Sequence, residues 1–190
     1  MKAEDHRLPP PASEAGAPPA LAAAHIAQPS SFYRARQFVA ALGARVSAAE
    51  QAMAAATLSP AELRLFEAMP PYDQRHCLDV RRTLAEAGHD DALLLRAATF
   101  HDCGKVDDRG RPMALGWYVL ATLLKGSPGL YLAAARLCGP IRVYAEHASR
   151  GALMAERAGS PPEVVATIRH YHDPAPTGRA ALLKWADEQN

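Results

Sequence analysis

The segment Ala92-Leu93-Leu94-Leu95-Arg96-Ala97-Ala98-Thr99-Phe100-His101-Asp102-Cys103-Gly104-Lys105 reads as a helix running into a chemically loaded turn. Leu94, Ala97, Ala98 and His101 recur at helical spacing and share one face. Asp90 or Asp91 is expected to cap the start. His101 therefore continues an apolar stripe and is expected to point inward. His101 and Asp102, side by side, offer an imidazole and a carboxylate to one divalent cation. Gly104 is expected to let the chain turn sharply at the helix end, and Lys105 to swing its ammonium toward whatever sits on the metal. Alone, such a pair also reads as a partly buried histidine beside a solvated aspartate, so the neighbouring segments matter.

Upstream, Phe38, Leu42, Val46 and Ala49 predict a helix over about 32–56. Ser59-Pro60-Ala61-Glu62 is a capping box opening a short helix that ends at Pro70-Pro71. A helix over about 72–87, stopped by Gly88, puts His76, Val80, Thr83 and Ala87 on one face. Downstream, 106–113 reads as a loop. Two short helices, about 114–125 and 128–138, are expected to be buried. A longer helix opens at Gly139-Pro140, carries Val143, His147 and Met154 inward, and stops at Gly159. Ser160-Pro161-Pro162-Glu163 reads as a second capping box, and its helix carries Val165, Ile168 and His172 on one stripe. His170 points roughly 200° away. A last helix, about 177–188, places Leu183 and Asp187 one turn apart. No segment reads as a strand or a repeat, so the expected fold is all-α.

The chain has 190 residues, enough for a single domain with a proper core. Residues 1–29 are rich in Pro and Ala without hydrophobic periodicity and are expected to be a disordered tail, with residues 30–190 forming the helical domain. Apolar residues make up 49% and aromatics 6%, which calls for a core of Ala, Leu and Val. A formal net charge of +1 argues against general nucleic-acid binding. Cys77, Cys103 and Cys138 have neither finger nor redox spacing and read as reduced thiols in a cytoplasmic protein. No run reaches the ~20 apolar residues a bilayer span needs, so no membrane partner is expected.

Inward candidates thus stand on five helices: His76, His101 with Asp102, His147, His172 and Asp187. Each alone is compatible with an ordinary hydrogen-bonded core histidine or a solvated carboxylate. Together they propose a shared cation, because an unpaired buried carboxylate costs several kcal/mol. In this order the residues resemble the HD-domain metal-dependent phosphohydrolase superfamily, whose signature is H…HD…H…H…D on a helical bundle. The resemblance covers roughly residues 60–190, and its most specific part is His101-Asp102-Cys103-Gly104-Lys105.

The resemblance implies a single-domain bundle of the HD type. It implies that His76, His101, Asp102 and Asp187 hold a first metal, with His147 and His172 serving a second and Asp102 bridging the two. The cofactor would be one or two divalent ions drawn from Mn, Fe, Ni, Co or Zn. The activity would be hydrolysis of a nucleotide or related phosphate ester, mono- or diester, by a metal-bound water. Asp102 and Lys105 would be catalytic, with Lys105 offsetting substrate phosphate charge. Arg150, three residues after His147 and so on an adjoining face, reads either as a contact to a second phosphate or as an ordinary surface arginine. The chain departs from the family's cyclic-dinucleotide branch, which has two adjacent histidines where this chain has Tyr171-His172 and a Gly-Tyr-Pro element that is absent after Asp173. The Glu-Asp pair of the alarmone-hydrolase branch is also not evident. The alternative is a catalytically reduced module that binds metal or nucleotide for regulation. Oligomerisation is compatible with either.

Overall fold

The computed structural model describes Gly43 and residues 45–107 and 109–190. The expected tail at 1–29 and most of the helix expected from Phe32 lie outside the described residues. Among the described residues there are nine α-helices: α1 (Ala48–Thr57), α2 (Pro60–Glu67), α3 (Pro71–Glu86), α4 (Ala92–Phe100), α5 (Leu115–Leu124), α6 (Pro128–Leu137), α7 (Gly139–Arg157), α8 (Pro162–His170) and α9 (Gly178–Gln189). A 3-10 turn, His101–Gly104, continues α4 directly. No strand occurs among these residues, only one antiparallel bridge between Val106 and Pro112 that pinches the loop following the turn.

Helix α4 is the central strut. Ala97 and Phe100 join one buried cluster with Phe66, Leu78 and Ile168, while Leu94 and Ala98 join a second with Val80, Leu84, Tyr171 and Leu183. Both faces of the strut are thus buried, and the many alanines let neighbouring helices approach it closely. Asp91 caps it, its Oδ1 accepting from the backbone N–H groups of Leu93 and Leu94. Gly88 and Gly159, with φ of 86° and 76°, follow α3 and α7 in the left-handed conformation that stops them.

Four expectations need correction. The helix expected over 32–56 does not run through: Ser47 is extended and caps α1 through a capping box with Glu50, so the chain breaks just before Ala48. The second capping box, at Ser160, does not form either. Pro161 occupies the cap position, and the Ser160 hydroxyl donates to Glu62 Oε1 at 2.6 Å. The two helices expected to be buried, α5 and α6, are largely exposed: α6 buries no residue, and Leu123 and Leu137 are 67% and 89% exposed. An apolar side chain favours leaving water, but its sequence does not guarantee a partner within the chain.

The fourth concerns Gly104. Its φ is not positive, so no left-handed turn requires glycine there. The requirement is space. A Cβ on Gly104 would lie 2.1 Å from the His147 carbonyl oxygen and 2.4 Å from the Gly151 nitrogen. The 3-10 turn and α7 meet backbone to backbone across Gly104 and Gly151.

Glu62 ties three parts of the bundle together. Its buried carboxylate accepts from Arg96 on α4, from Ser160 before α8 and from the Ser59 backbone N–H. Burial pushes its carboxyl up, but Arg96, Ser160 and Ser59 outweigh that and hold it below the ordinary glutamate value. The stability this provides is present above the unfolded-state pKa, ~4.3, and is lost as pH falls through the lower folded value. Glu62→Gln is expected to cost about 2 kcal/mol in urea unfolding at neutral pH, with the gap to wild type closing as the solution is acidified through that window. An equal gap at both pH values would show that the pairing does not carry the stability.

Candidate metal centre

Five elements converge on one buried point. Helix α3 carries His76 on the edge of the face that buries Cys77 and Val80. The 3-10 turn delivers His101 and Asp102, both essentially inaccessible. Helix α7 delivers His147, the end of α8 delivers Tyr171 and His172, and α9 delivers Asp187 one turn after the buried Leu183.

The donor atoms of His76, His101 and Asp102 all lie within 4.8 Å of one another. Asp187 closes the ring: its Oδ1 is 2.8 Å from His76 Nε2 and 3.6 Å from His101 Nε2. Asp102 Oδ2 is 3.7 Å from His76 Nε2, and Asp102 Oδ1 is 3.7 Å from His101 Nε2.

Backbone carbonyls fix the histidine tautomers. His101 Nδ1 sits 2.9 Å from the Ala98 carbonyl, and His147 Nδ1 sits 2.6 Å from the Tyr144 carbonyl. A carbonyl only accepts, so each Nδ1 carries a hydrogen and Nε2 is the ring nitrogen left facing the centre. Burial pulls His101 down, but Cys77 and the Asp102 and Asp187 carboxylates outweigh it and hold the imidazole well above its ordinary value. His101 Nε2 is fully buried and has no hydrogen-bond partner. A buried ring nitrogen without a partner is costly, and here it faces two carboxylates and a second imidazole. That donor set, nitrogen and oxygen without thiolate, fits a divalent transition ion. Carbonyl-fixed imidazoles are also the usual outer support of such ligands.

The second half of the centre is built differently. His147 Nε2 accepts from the Tyr171 hydroxyl at 2.7 Å, which also lies 3.5 Å from Asp102 Oδ1. His172 Nε2 is 3.2 Å from His147 Nε2. Tyr171 is wholly buried, whereas His172 lies past the end of α8 and is exposed. Burial pulls His147 down to about 3, and desolvation of the His172 ring where it packs on Tyr171 and His147, although the residue is otherwise exposed, pulls it down to about 4, so both are neutral imidazoles in neutral solution. His170 lies away from the centre, paired with Asp173 at the surface at 2.9 Å.

The chain matches no family model, no curated protein and no solved structure. What can be said of the centre therefore rests on its own geometry.

Lys105 is buried, with Nζ 2.5 Å from Asp102 Oδ2 and 3.6 Å from Asp73 Oδ1, over the ring of Tyr118. Burial pulls the ammonium down, but Asp102 and Asp73 outweigh it and hold it above the ordinary lysine value. Burial pushes Asp102 up, and Lys105 with the surrounding histidines more than reverses this, so the carboxylate stays charged. Arg150 turns one guanidinium nitrogen to the Val106 carbonyl at 3.0 Å, at the root of the pinched loop. Cys77 and Cys103 are buried, and desolvation pushes both thiols up, away from the thiolate a metal would need.

Two residues of the centre, Asp73 and Tyr118, were not singled out in the sequence, and Tyr171 was noted only as a departure from a two-histidine pattern. Asp73 stands one turn before Cys77 on α3, a spacing that places it on the same buried face. Tyr171 completes the stripe Val164, Ile168, Tyr171, which competes with the one ending at His172. Tyr118 donates to Asp73 Oδ2 at 2.6 Å from 45 residues away, and no local pattern announces it.

Proposed function

We propose that this chain is a metal-dependent phosphohydrolase of the HD type, with His76, His101, Asp102 and Asp187 holding one divalent ion drawn from Mn, Fe, Co, Ni or Zn. The observation that carries the reading is the partnerless Nε2 of buried His101, aimed into a ring of one imidazole and two carboxylates. A divalent ion there supplies a water of near-neutral pKa and a Lewis acid for a phosphoryl oxygen.

The remaining roles fall to the chain's own side chains. Asp102 faces both halves of the centre and supplies the negative charge that draws a cation in. Lys105 is the fixed positive charge beside it, held rather than mobile, and suits the anionic oxygens of a nucleotide or similar phosphate ester. His147, held neutral, uses Nε2 to accept from Tyr171 and so fixes that hydroxyl beside Asp102. Arg150 acts through the Val106 carbonyl and fixes the root of the pinched loop; a direct bond from that nitrogen to a second phosphate would require it to leave the carbonyl.

Elemental analysis of the purified chain, with p-nitrophenyl phosphate and bis(p-nitrophenyl) phosphate hydrolysis on the same samples, tests the reading. About one ion per chain with turnover supports it. Metal without turnover favours the regulatory binding module, and no metal after reconstitution with Mn, Fe, Ni and Zn removes the centre altogether.

Of the one or two ions the resemblance implies, Tyr171 favours one. Its hydroxyl lies 2.7 Å from His147 Nε2 and 3.5 Å from Asp102 Oδ1, and so occupies the His147 nitrogen that a second ion would need. Tyr171→His is expected to raise the metal content from about one to about two ions per chain. A content that stays at one would show that something other than the phenol limits the site.

A further inference from the structure

The apolar pair α5 and α6 has a charge character of its own. From Pro112 to Ala145 the sequence contains no Asp or Glu, although the chain has 20, while Lys125, Arg136 and Arg142 fall within it. All three cations are exposed. So are Leu120, Leu123, Leu130, Leu132 and Leu137, from 40% upward. Trp117 and Tyr131 are partly exposed on the same helices. Neither helix is long enough to cross a bilayer at ten residues each. Exposed leucines and aromatics with cations beside them and no anion among them suit the boundary between acidic headgroups and acyl chains, where buried apolar area and charge attraction add.

We propose that α5 and α6 form a docking surface for an anionic lipid bilayer, the leucines entering the acyl boundary and Lys125, Arg136 and Arg142 meeting acidic headgroups. Charge decides among occupants. A second copy docked face to face would set these cations against themselves around a two-fold axis, which opposes association. An acidic lipid surface offers the opposite sign together with an apolar phase.

The surface adjoins the centre. Lys125 Nζ lies 3.4 Å from the Tyr144 hydroxyl and 4.7 Å over its ring, and that ring lies 5.7 Å from the ring of His147. From the same helix, Tyr118 donates to Asp73 beside Lys105. Docking would bring the centre to the headgroup plane. The docking itself does not depend on any activity there.

Co-sedimentation of the full chain with vesicles tests it. Phosphatidylcholine vesicles containing phosphatidylglycerol are expected to bind about ten- to a hundredfold more tightly than phosphatidylcholine alone, with binding weakened by salt. Leu123→Glu combined with Leu137→Glu should abolish it while leaving helicity by circular dichroism and metal content unchanged, since both side chains face solvent. No binding to acidic vesicles, equal binding to neutral ones, or retention by the double variant would overturn the proposal. So would a dimer in light scattering that the same two substitutions split, which would assign the surface to a second copy.

Discussion

Asp102→Asn is expected to empty the centre of metal and to lower phosphate-ester hydrolysis by roughly 10³-fold, equivalent to about 4 kcal/mol of transition-state stabilisation. Asp102 reaches further than any other ligand candidate. Its carboxylate lies within 4 Å of three imidazoles, those of His76, His101 and His147, and of the Lys105 ammonium. Asparagine keeps the shape and removes the charge. Four nitrogen groups would then converge with only Asp187 and the more distant Asp73 to offset them, and a divalent cation would meet that field unfavourably. Asp187→Asn should cost less, because Asp187 is partly exposed and touches only His76 and His101. Elemental analysis and turnover on matched samples read both effects. Wild-type metal in Asp102→Asn would sink the proposed ligand set, whatever the activity.

What the sequence made legible was local. Helix α4, its Asp91 cap, the Ser59–Glu62 capping box, the glycine stops at 88 and 159, and the inward direction of His101 all follow from spacings of four residues or fewer, where helical geometry alone sets the neighbours. His172 rather than His170 does lie beside His147, but not for the expected reason, because α8 stops at His170 and helical geometry does not extend to His172. What was not legible depends on contacts far apart in the chain. Ser160 abandons its expected cap for a carboxylate 98 residues away. Tyr118 reaches Asp73, beside Lys105, across 45 residues. Tyr171, rather than His172, is the buried end of α8 because the helix stops at His170, and a one-residue change in a boundary redirects the side chains beyond it. The exposure of α5 and α6 has the same origin: periodicity says which face is apolar, and only the packed bundle says whether anything covers it.

Gly104→Ala should be among the most damaging single-methyl additions in the chain. The added Cβ would sit 2.1 Å from the His147 carbonyl oxygen, 2.4 Å from the Gly151 nitrogen and 2.9 Å from its Cα. All three are backbone atoms in the interior of α7, so no rotamer change can relieve the contact. Either α7 or the 3-10 turn must move. Ordinary overpacking by a methyl group costs about 1–3 kcal/mol when side chains can yield; here the cost should exceed that range. At about 2–4 °C per kcal/mol for a chain of this size, the thermal midpoint should fall by roughly 10 °C. The movement has a chemical consequence, because the displaced carbonyl belongs to His147 and the displaced turn carries His101 and Asp102. Gly151→Ala provides a graded comparison, its Cβ meeting the His101 carbonyl at 3.2 Å and Cys103 Sγ at 3.5 Å. Gly88→Ala provides another, with open space but a positive φ that costs about 1–2 kcal/mol. Calorimetry should therefore rank Gly104→Ala well below both in stability. A midpoint for Gly104→Ala equal to that of Gly88→Ala would mean that the turn and α7 do not meet at backbone contact, and the placement of His147 opposite Asp102 would fall with it.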